Sequence, residues 1–170
     1  MDAGAERTQF ETAAADHDVT VTRTRAANFA STLEGVVEYP AVGVSLPIDG
    51  VSLADTAVET TLTPAKLDTA RTGVTPVSFG IATLGTVFIE STTDGAEPVS
   101  LFPERHVAVL AASDVCPDLA AAVDRFGEEL AAGPSSGIFA TGPSATADMG
   151  GHVQGVHGPS DVHVIVVDDR

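Results

Sequence analysis

The chain has 170 residues, 44% of them apolar, and its 24 acidic residues outnumber the 8 basic ones, giving a formal net charge of −16. A fold of this length buries roughly 70% of the surface of its unfolded chain and needs no disulfide for stability. The strongly negative charge repels phosphate backbones and anionic lipids, so nucleic acids and membrane surfaces are excluded as expected partners.

The acidic residues are spread along the whole chain and are interleaved with Val and Ala, which argues against a disordered acidic tail. Lys66 is the single lysine. An acidic, lysine-poor surface is typical of a folded protein in a high-salt cytosol, where screening weakens self-repulsion. Because aromatic residues are scarce and Trp is absent, stacking surfaces for single-stranded nucleic acid are not expected.

Cys116 is the only cysteine, so neither an internal disulfide nor an iron–sulfur cluster can be built from this chain. The first residues lack the basic and apolar regions of a signal peptide, and no apolar run approaches the ~20 residues of a membrane helix. We therefore predict a soluble, cytoplasmic protein.

Hydrophobic spacing predicts the elements of the first half of the chain. In chain order these are a helix at 6–18, a strand at 19–24, a helix at 26–38, a strand at 41–46 and a short helix that ends at Gly73. Thr63 is predicted to cap this last helix, with Pro64 at its first position. A stretch rich in glycine and small residues follows at 73–85.

The second half alternates apolar strands with one clear helix. The predicted strands are 86–91, 107–112, 137–141 and 163–167, and the helix is 117–132, with an apolar stripe of Leu119, Val123, Phe126 and Leu130. Continuous apolar strands are typical of a parallel sheet covered on both faces. We therefore predict an α/β fold, a mostly parallel sheet with flanking helices, in a single domain over residues 1–170.

The segment 141–159 is the strongest candidate for a site. It contains five glycines and directly follows an apolar strand, and ligands of open α/β sheets bind beyond the carboxyl ends of strands. If Ser144 begins a helix, the free amides of Ala145 and Thr146 form an anion pocket, and Asp148 shares the helix face with Ser144. The turn at 155–159 would bring His157 to the same edge of the sheet. A capping serine and ordinary turn residues explain this pattern equally well.

Three more specific kinds of site receive less support from the sequence. Ser144, Asp148 and His157 occur in hydrolase order, but the last glycine of G-x-S-x-G is missing and Asp148 lies too close in sequence to orient the histidine. His152 and His163 complete no metal motif with Asp148 and His157, so no metal site is predicted. A Walker loop is excluded because its lysine is absent, and no G-x-G-x-x-G follows a strand. No cofactor is therefore expected.

Three other features are assigned structural roles. Residues 80–86 precede a strand and predict an irregular or bulged strand. Arg105 and His106 begin the strand at 107–112, at the end opposite to the expected site, and are interpreted as surface residues. Cys116 is predicted to be a small buried residue, with a reactive thiol of low pKa as the alternative.

Several segments together resemble the LUD domain family, in particular its lactate-utilisation protein C group (LutC/YkgG). The motifs are GPSATADM at 142–149, GVHGP at 155–159, the Gly85-Thr86 strand start and SLFP at 100–103 before the strand at 107. The resemblance spans about residues 73–168. It makes Gly142, Ser144, Ala145, Thr146, Asp148, His157, Gly158, Gly85 and Thr86 the candidate ligand-binding residues.

The resemblance implies a fold like the NagB/RpiA/CoA-transferase group, which includes 5-formyltetrahydrofolate cyclo-ligase. It also implies a role in oxidising L-lactate to pyruvate beside iron–sulfur partner proteins. Together with the anion pocket predicted at Ser144, it makes a small anionic metabolite the expected ligand of this chain. Electron transfer would belong to the partners. The chain departs from the family pattern at Ala145, Gly150 and Thr83, where the family carries polar or acidic residues.

Two other classes of function stay open. One is an enzyme of the CoA-transferase or cyclo-ligase type, although residues 137–169 contain no Lys or Arg to hold phosphates. The other is a non-catalytic interaction module. No complete catalytic constellation is visible, so the sequence leaves open whether the chain is an enzyme.

Overall fold

The structure is a computed structural model, which describes residues 3–132, 135–148, 151–155 and 157–170, without the side chains of 3, 132, 147, 148 and 151–154. The helices are α1 (Ala3–Ala15), α2 (Phe29–Glu34), α3 (Pro64–Thr69), α4 (Ala96–Leu101) and α5 (Leu119–Ala132). The strands are β1 (Val19–Thr24), β2 (Ala41–Gly43), β3 (Thr72–Pro76), β4 (Phe79–Ile81), β5 (Thr86–Glu90), β6 (Arg105–Ala111), β7 (Val115–Cys116), β8 (Gly137–Ala140), β9 (Ala145–Asp148), β10 (Gly151–Gln154) and β11 (Asp161–Val167).

Five strands form a fully parallel sheet in the order β1-β11-β6-β3-β2. The two longest strands, β6 and β11, lie side by side near its centre, with Val162 opposite His106 and Val167 opposite Ala111. Their apolar residues are buried as continuous runs, which is the pattern of a sheet covered on both faces. The prediction of an α/β protein built on a parallel sheet is confirmed.

Alternate residues of the central strands pack into two cores on opposite faces of this sheet. One core contains Val107, Val109 and Ile165 of the sheet together with Phe29 and Leu33 of α2. The other contains Ala108, Leu110 and Val164, packed against Phe10 and Ala14 of α1. Both helices therefore use one apolar face, and the sheet has a helix on each side.

A second, mixed sheet in the order β7-β4-β5-β8 packs against the α1 side of the first. The predicted strand at 137–141 lies in this mixed sheet, so its expected place in the parallel sheet is wrong. β8 pairs antiparallel with β5, and its residues alternate between exposed and half-buried. A short apolar run has the same composition in either sheet, so composition could not distinguish an edge strand from a central one.

The predicted elements differ from the observed ones mainly at their ends. The expected helix at 26–38 is a 3₁₀ turn (Ala26–Asn28) followed by α2, and the strand at 41–46 is only β2. The glycine-rich stretch at 73–85 contains two strands, β3 and β4, which lacked a clear period in the sequence.

Thr63 caps α3 as predicted, because its Oγ1 accepts a hydrogen bond from the Lys66 amide at 3.3 Å. The chain enters this helix in an extended conformation, with Pro64 just inside it, where a missing amide hydrogen removes no bond. Across the described part of the chain, no helix combines the length and apolar character needed to cross a bilayer.

Candidate functional site

Residues after Ser144 form a β-hairpin, and the predicted helix there is wrong. β9 and β10 pair antiparallel, with Ala145 opposite Gln154 and Asp148 opposite Gly151. The two segments form backbone hydrogen bonds with each other, and their residues are compatible with β-strands. The spacing of residues along a helix does not reveal this alternative. The helix dipole invoked for an anion pocket is therefore absent at Ser144, and the shared helix face of Ser144 and Asp148 is lost with it.

The two predicted segments nevertheless meet. The Ser144 amide donates to the Pro159 carbonyl oxygen at 2.8 Å, and the Gly155 amide donates to the Ser144 carbonyl oxygen at 2.8 Å. A Cβ placed on Gly158 would lie 3.0 Å from the Ser144 Cβ, so these two residues are in close contact. The turn at 157–159 is thus bound to the strand-to-hairpin connection by backbone hydrogen bonds.

A cavity of about 340 Å³ lies beside this junction, and we call it the junction cavity. The connection after β8 lines it with Thr141, Gly142, Pro143 and Ser144, and the turn before β11 with His157, Gly158 and Pro159. The end of α4 and the starts of β6 and β11 complete it through Ser100, Leu101, His106 and Val162. Apolar side chains from β5 and β8 form the remaining wall.

The junction cavity lies at the amino ends of β6 and β11, because His106 and Val162 are each the second residue of their strand. The prediction that the 141–159 segment lies beyond the carboxyl ends of the parallel strands is therefore wrong. The segment at 141 does leave a carboxyl end, but that end belongs to β8 of the mixed sheet.

His106 is the residue that sequence reasoning missed. It was interpreted as a surface residue, yet only 2% of it is exposed and it lines the junction cavity. A 2.9 Å hydrogen bond joins its Nε2 to Oγ1 of Thr75, which is fully buried on β3. Burial lowers the pKa of His106 to about 4, so the imidazole is neutral at physiological pH. The period-2 placement of His106 with Ala108 and Leu110 on β6 was the available signal.

The cavity combines polar and apolar residues. Among the described residues that line it, none is Lys, Arg, Asp or Glu. Its hydrogen-bonding side chains are Ser100, His106, Thr141, Ser144 and His157. Ser100 is buried, and its hydroxyl donates to the Glu97 carbonyl oxygen at 2.7 Å. Neutral donors and acceptors beside an apolar wall suit a small polar metabolite with an apolar part.

Gly142 is required where the chain turns out of β8. Its φ of +74° is a left-handed conformation that side chains disfavour. A Cβ there would also overlap the His17 carbonyl oxygen, so the turn after α1 is in close contact with this connection. The glycine therefore allows the chain to pass between α1 and the junction cavity.

Gly85 and Thr86, the other predicted pair, lie behind the cavity. The Thr86 hydroxyl is 2.6 Å from the hydroxyl of Thr141, which lines the cavity. Gly85 has φ +60° and packs against the α1 backbone at Ala14. Thr86 therefore positions a lining residue, whereas Gly85 accommodates a helix.

The remaining candidate residues are only partly described. Ala145 lines the cavity and Thr146 is the next residue of β9, while the side chains of Asp148 and His152 and the whole of Gly150 lie outside the described residues. Within the described part of the chain, His163 belongs to no group of three or more potential metal ligands. Its Nε2 is 2.9 Å from the Thr22 hydroxyl, and burial lowers its pKa. Cys116 is buried as predicted, and burial raises the pKa of its thiol, contrary to the reactive alternative.

A larger open groove of about 770 Å³ lies between α3 and α4. Its lining is mainly apolar and includes Phe102, which is 71% exposed. The groove contains no converging buried polar side chains among the described residues. We therefore place the candidate site in the smaller junction cavity, where Ser100 and His106 are both buried.

The chain is an α/β protein with a parallel five-stranded sheet and a mixed sheet. A cavity without Lys, Arg, Asp or Glu among its described lining residues lies where the loops of the two sheets meet. The LUD domain matches residues 45–167. The chain therefore belongs to the LUD domain family.

Named relatives agree with this assignment. The chain is 36% identical over 109 residues to lactate utilization protein C of Bacillus subtilis (strain 168), which is 62% of this chain and 45% of that protein. It is 36% identical over 105 residues to the protein of the same name from Geobacillus sp. (strain WCH70), covering 59% and 44%. The matched stretch thus covers less than half of each of these relatives.

A solved structure supports the fold over the full length. The crystal structure of a DUF162 family protein from Deinococcus radiodurans matches with a TM-score of 0.74 and 21% identity, covering 99% of each chain. At this identity the likeness concerns the fold alone. The predicted relation to the NagB/RpiA/CoA-transferase group stays a prediction, as does the assignment of all 170 residues to one domain.

Proposed function

We propose that this chain is a component of a lactate-utilisation system and that the junction cavity binds a small metabolite of that pathway. The main support is the meeting of Ser144 with residues 157–159 around one cavity, because these two segments carry the motifs that resemble lactate-utilisation protein C. The names of the relatives support the same pathway. Since the match covers under half of those relatives, the role is proposed from the shared part alone.

The ligand we propose is a small carboxylate such as L-lactate or pyruvate. The hydroxyl of Ser144 and the imidazole of His157 line the mouth and can donate to a carboxylate, while the apolar wall accepts a methyl group. No Lys or Arg among the described lining residues offsets the field of a chain with net charge −16, so we expect an anion to be repelled at low salt. Screening at high ionic strength removes this repulsion, and binding should strengthen as KCl is raised.

Electron transfer in this proposal belongs to iron–sulfur partner proteins, because a chain with one cysteine cannot ligate such a cluster. The chain would hold the small metabolite within the assembly. A cytoplasmic location is part of the same proposal.

Ligand binding is tested by calorimetry with L-lactate, pyruvate and uncharged lactamide at 0.2 M and 2 M KCl. We expect lactate or pyruvate to bind with an affinity that rises with KCl, while lactamide shows little salt dependence. Ser144→Ala and His157→Gln should weaken binding, whereas Ser31→Ala, which alters a serine on α2 away from the cavity, should not. Binding that ignores both cavity variants would contradict the proposed site.

The pathway role is tested separately by growth. A strain lacking this chain should grow on glucose but not on L-lactate as carbon source, and the wild-type chain should restore growth. A strain that grows normally on L-lactate without the chain would refute the pathway. Restoration by Ser144→Ala and His157→Gln together would instead retain the pathway and remove the cavity from it.

A further inference from the structure

Helix α5 exposes the apolar stripe that a helix normally buries. Leu119 is 50% exposed, Val123 54% and Leu130 45%. At 100° per residue these three and Phe126 lie on one side of the helix, with Ala120 and Gly127 beside them. Phe126 is half-buried against Phe88, so we call the other five residues the uncovered α5 face, and this face contains no charged residue in a chain of net charge −16.

The helix is held in this orientation by its other side. The Arg125 Nη2 donates to the Ser78 carbonyl oxygen and to Asp114, both at 2.9 Å, and its guanidinium lies 5.3 Å from the centre of the Phe79 ring. Ala122 is fully buried against the mixed sheet. Rotating α5 to bury the apolar stripe would break these contacts, so the exposure of the stripe is built into the packing.

The apolar surface continues from the helix onto the edge of the mixed sheet. Phe139 on the edge strand β8 is 44% exposed, and its ring centre is 6.3 Å from that of Phe126 in an edge-to-face arrangement. Nothing lies within 4 Å of a Cβ placed on Gly127, so the surface beside the stripe is open. The small residues Ala120 and Gly127 allow a second helix to approach α5 closely.

The charges beside the uncovered α5 face distinguish between the partners that could cover it. Asp124 and Glu128, both exposed, follow next around the helix on its solvent side. A second copy of this chain would bring the same acidic border and another net charge of −16. A helix with Lys or Arg beside its apolar stripe would instead complement both the stripe and the border.

We propose that the uncovered α5 face is a docking surface for a partner protein that presents an amphipathic helix with a basic border. The partner helix packs its apolar stripe against Leu119, Val123 and Leu130, with Phe139 at the side. Its basic residues face Asp124 and Glu128. Leu119, Val123 and Leu130 do not line the junction cavity, although Phe139 at the side of the surface does. The α5 residues that carry the proposal are therefore distinct from the metabolite site.

The test uses three synthetic 18-residue peptides and fluorescence anisotropy at 0.15 M and 1 M KCl. The first has a leucine stripe with lysine borders, the second the same stripe with glutamate borders, and the third the lysine composition with the stripe scrambled. We expect the first to bind most tightly at 0.15 M KCl. Its advantage over the glutamate peptide should shrink at 1 M KCl, where the screening length is about 3 Å.

The double variant Val123→Ser/Leu130→Ser should weaken binding of the first peptide by about tenfold or more at both salt concentrations, because it removes apolar contacts and leaves the charge unchanged. Phe102→Ser, which removes an exposed apolar side chain from the groove between α3 and α4, is the matched control and should have no effect. Both variant proteins are checked by circular dichroism, and substitution of exposed residues is expected to leave the fold intact.

Four results would overturn the proposal. The scrambled peptide could bind as well as the striped one, which would indicate charge attraction alone. The double variant could bind like the wild type, or the first peptide could fail to bind, which would remove the α5 face from recognition. Sedimentation could show a dimer that the double variant dissociates, and the occupant would then be a second copy of this chain.

Discussion

His106 combines three properties: burial, a hydrogen bond to a polar neighbour and access to a cavity. Its hydrogen bond to Thr75 links the central strand β6 to β3. A neutral imidazole held in this way can offer one nitrogen to a partner in the protein and leave the ring beside the cavity. The residue therefore contributes to stability and to the chemistry of the junction cavity together.

The pH dependence of stability should report on His106. The unfolded chain takes up the proton near pH 6.5 and the folded chain only near pH 4, so acid favours unfolding between these values. We expect His106 to contribute a loss of about 2–3 kcal/mol in the free energy of unfolding as the pH falls from 7 to 4.5. Urea titrations at each pH, at constant high salt, measure this free energy of unfolding.

The variant His106→Gln can keep a hydrogen bond to Thr75 but does not titrate. Its loss of stability over the same pH interval should be smaller than that of the wild type by about this amount. His17→Gln serves as the control, because His17 is exposed in the turn after α1. Equal pH profiles for the wild type and His106→Gln would show that the buried imidazole is not the group responsible.

At the scale of the element, α3 depends on its cap more than on burial. The helix has six residues, none of them buried, and it begins at Thr63 and Pro64. Short helices are weak in isolation because each terminus leaves backbone groups without a partner. The hydrogen bond from the Lys66 amide to Thr63 is therefore a large part of what fixes this helix beside the open groove.

Removing that cap should destabilise the protein modestly. Thr63→Ala leaves the Lys66 amide without its side-chain acceptor, and we expect a loss of about 0.5–1 kcal/mol in the free energy of unfolding. Chemical denaturation measures it. Thr60→Ala, three residues earlier and outside the helix, is the control. A loss of the same size for both variants would mean that the cap is not the cause.

A substitution in helix α5 is expected to change stability in the opposite direction. Gly127 lies inside this 14-residue helix, and a Cβ there meets nothing within 4 Å. Gly127→Ala should stabilise the protein by about 0.5–1 kcal/mol, because alanine loses less backbone entropy on folding. The control is Gly73→Ala, which must destabilise because its Cβ would overlap the Val99 carbonyl oxygen. A destabilised Gly127→Ala would contradict the open environment described for α5.

The whole molecule is dominated by its excess of negative charge. Most of its few cations are paired with carboxylates, as in Arg23 with Asp168 at 2.9 Å, Lys66 with Glu59 at 2.9 Å and Arg125 with Asp114 at 2.9 Å. These partly exposed pairs contribute little individually. The unpaired acidic residues repel one another, and the compact state concentrates that repulsion.

Salt should therefore stabilise the fold. We expect the midpoint of thermal unfolding at pH 7 to rise by at least about 5 °C when KCl increases from 0.1 M to 2 M, because screening weakens the repulsion more than it weakens the surface pairs. Differential scanning calorimetry measures the midpoint. At pH 4.3, close to the isoelectric point, the same change in KCl should have a much smaller effect. Equal salt responses at both pH values would rule out net charge as the cause.

By itself, the sequence determined the nature of most elements and the segments of the site. Local spacing was sufficient for β1, the capped start of α3, the body of α5 and the buried strands β6 and β11. The motifs at 142–149 and 155–159 correctly indicated that Ser144 and residues 157–159 belong together. These features depend on neighbours along the chain, and a sequence records such neighbours directly.

Only the tertiary structure decided which strands pair and which faces are covered. It placed β8 in a second sheet, paired β9 with β10 in place of a helix, moved the cavity to the amino ends of β6 and β11, and buried His106. It also turned the apolar stripe of α5 toward solvent through the contacts of Arg125. Each outcome depends on partners distant in sequence, whose backbone hydrogen bonds and packing outweigh the small preferences of a local segment.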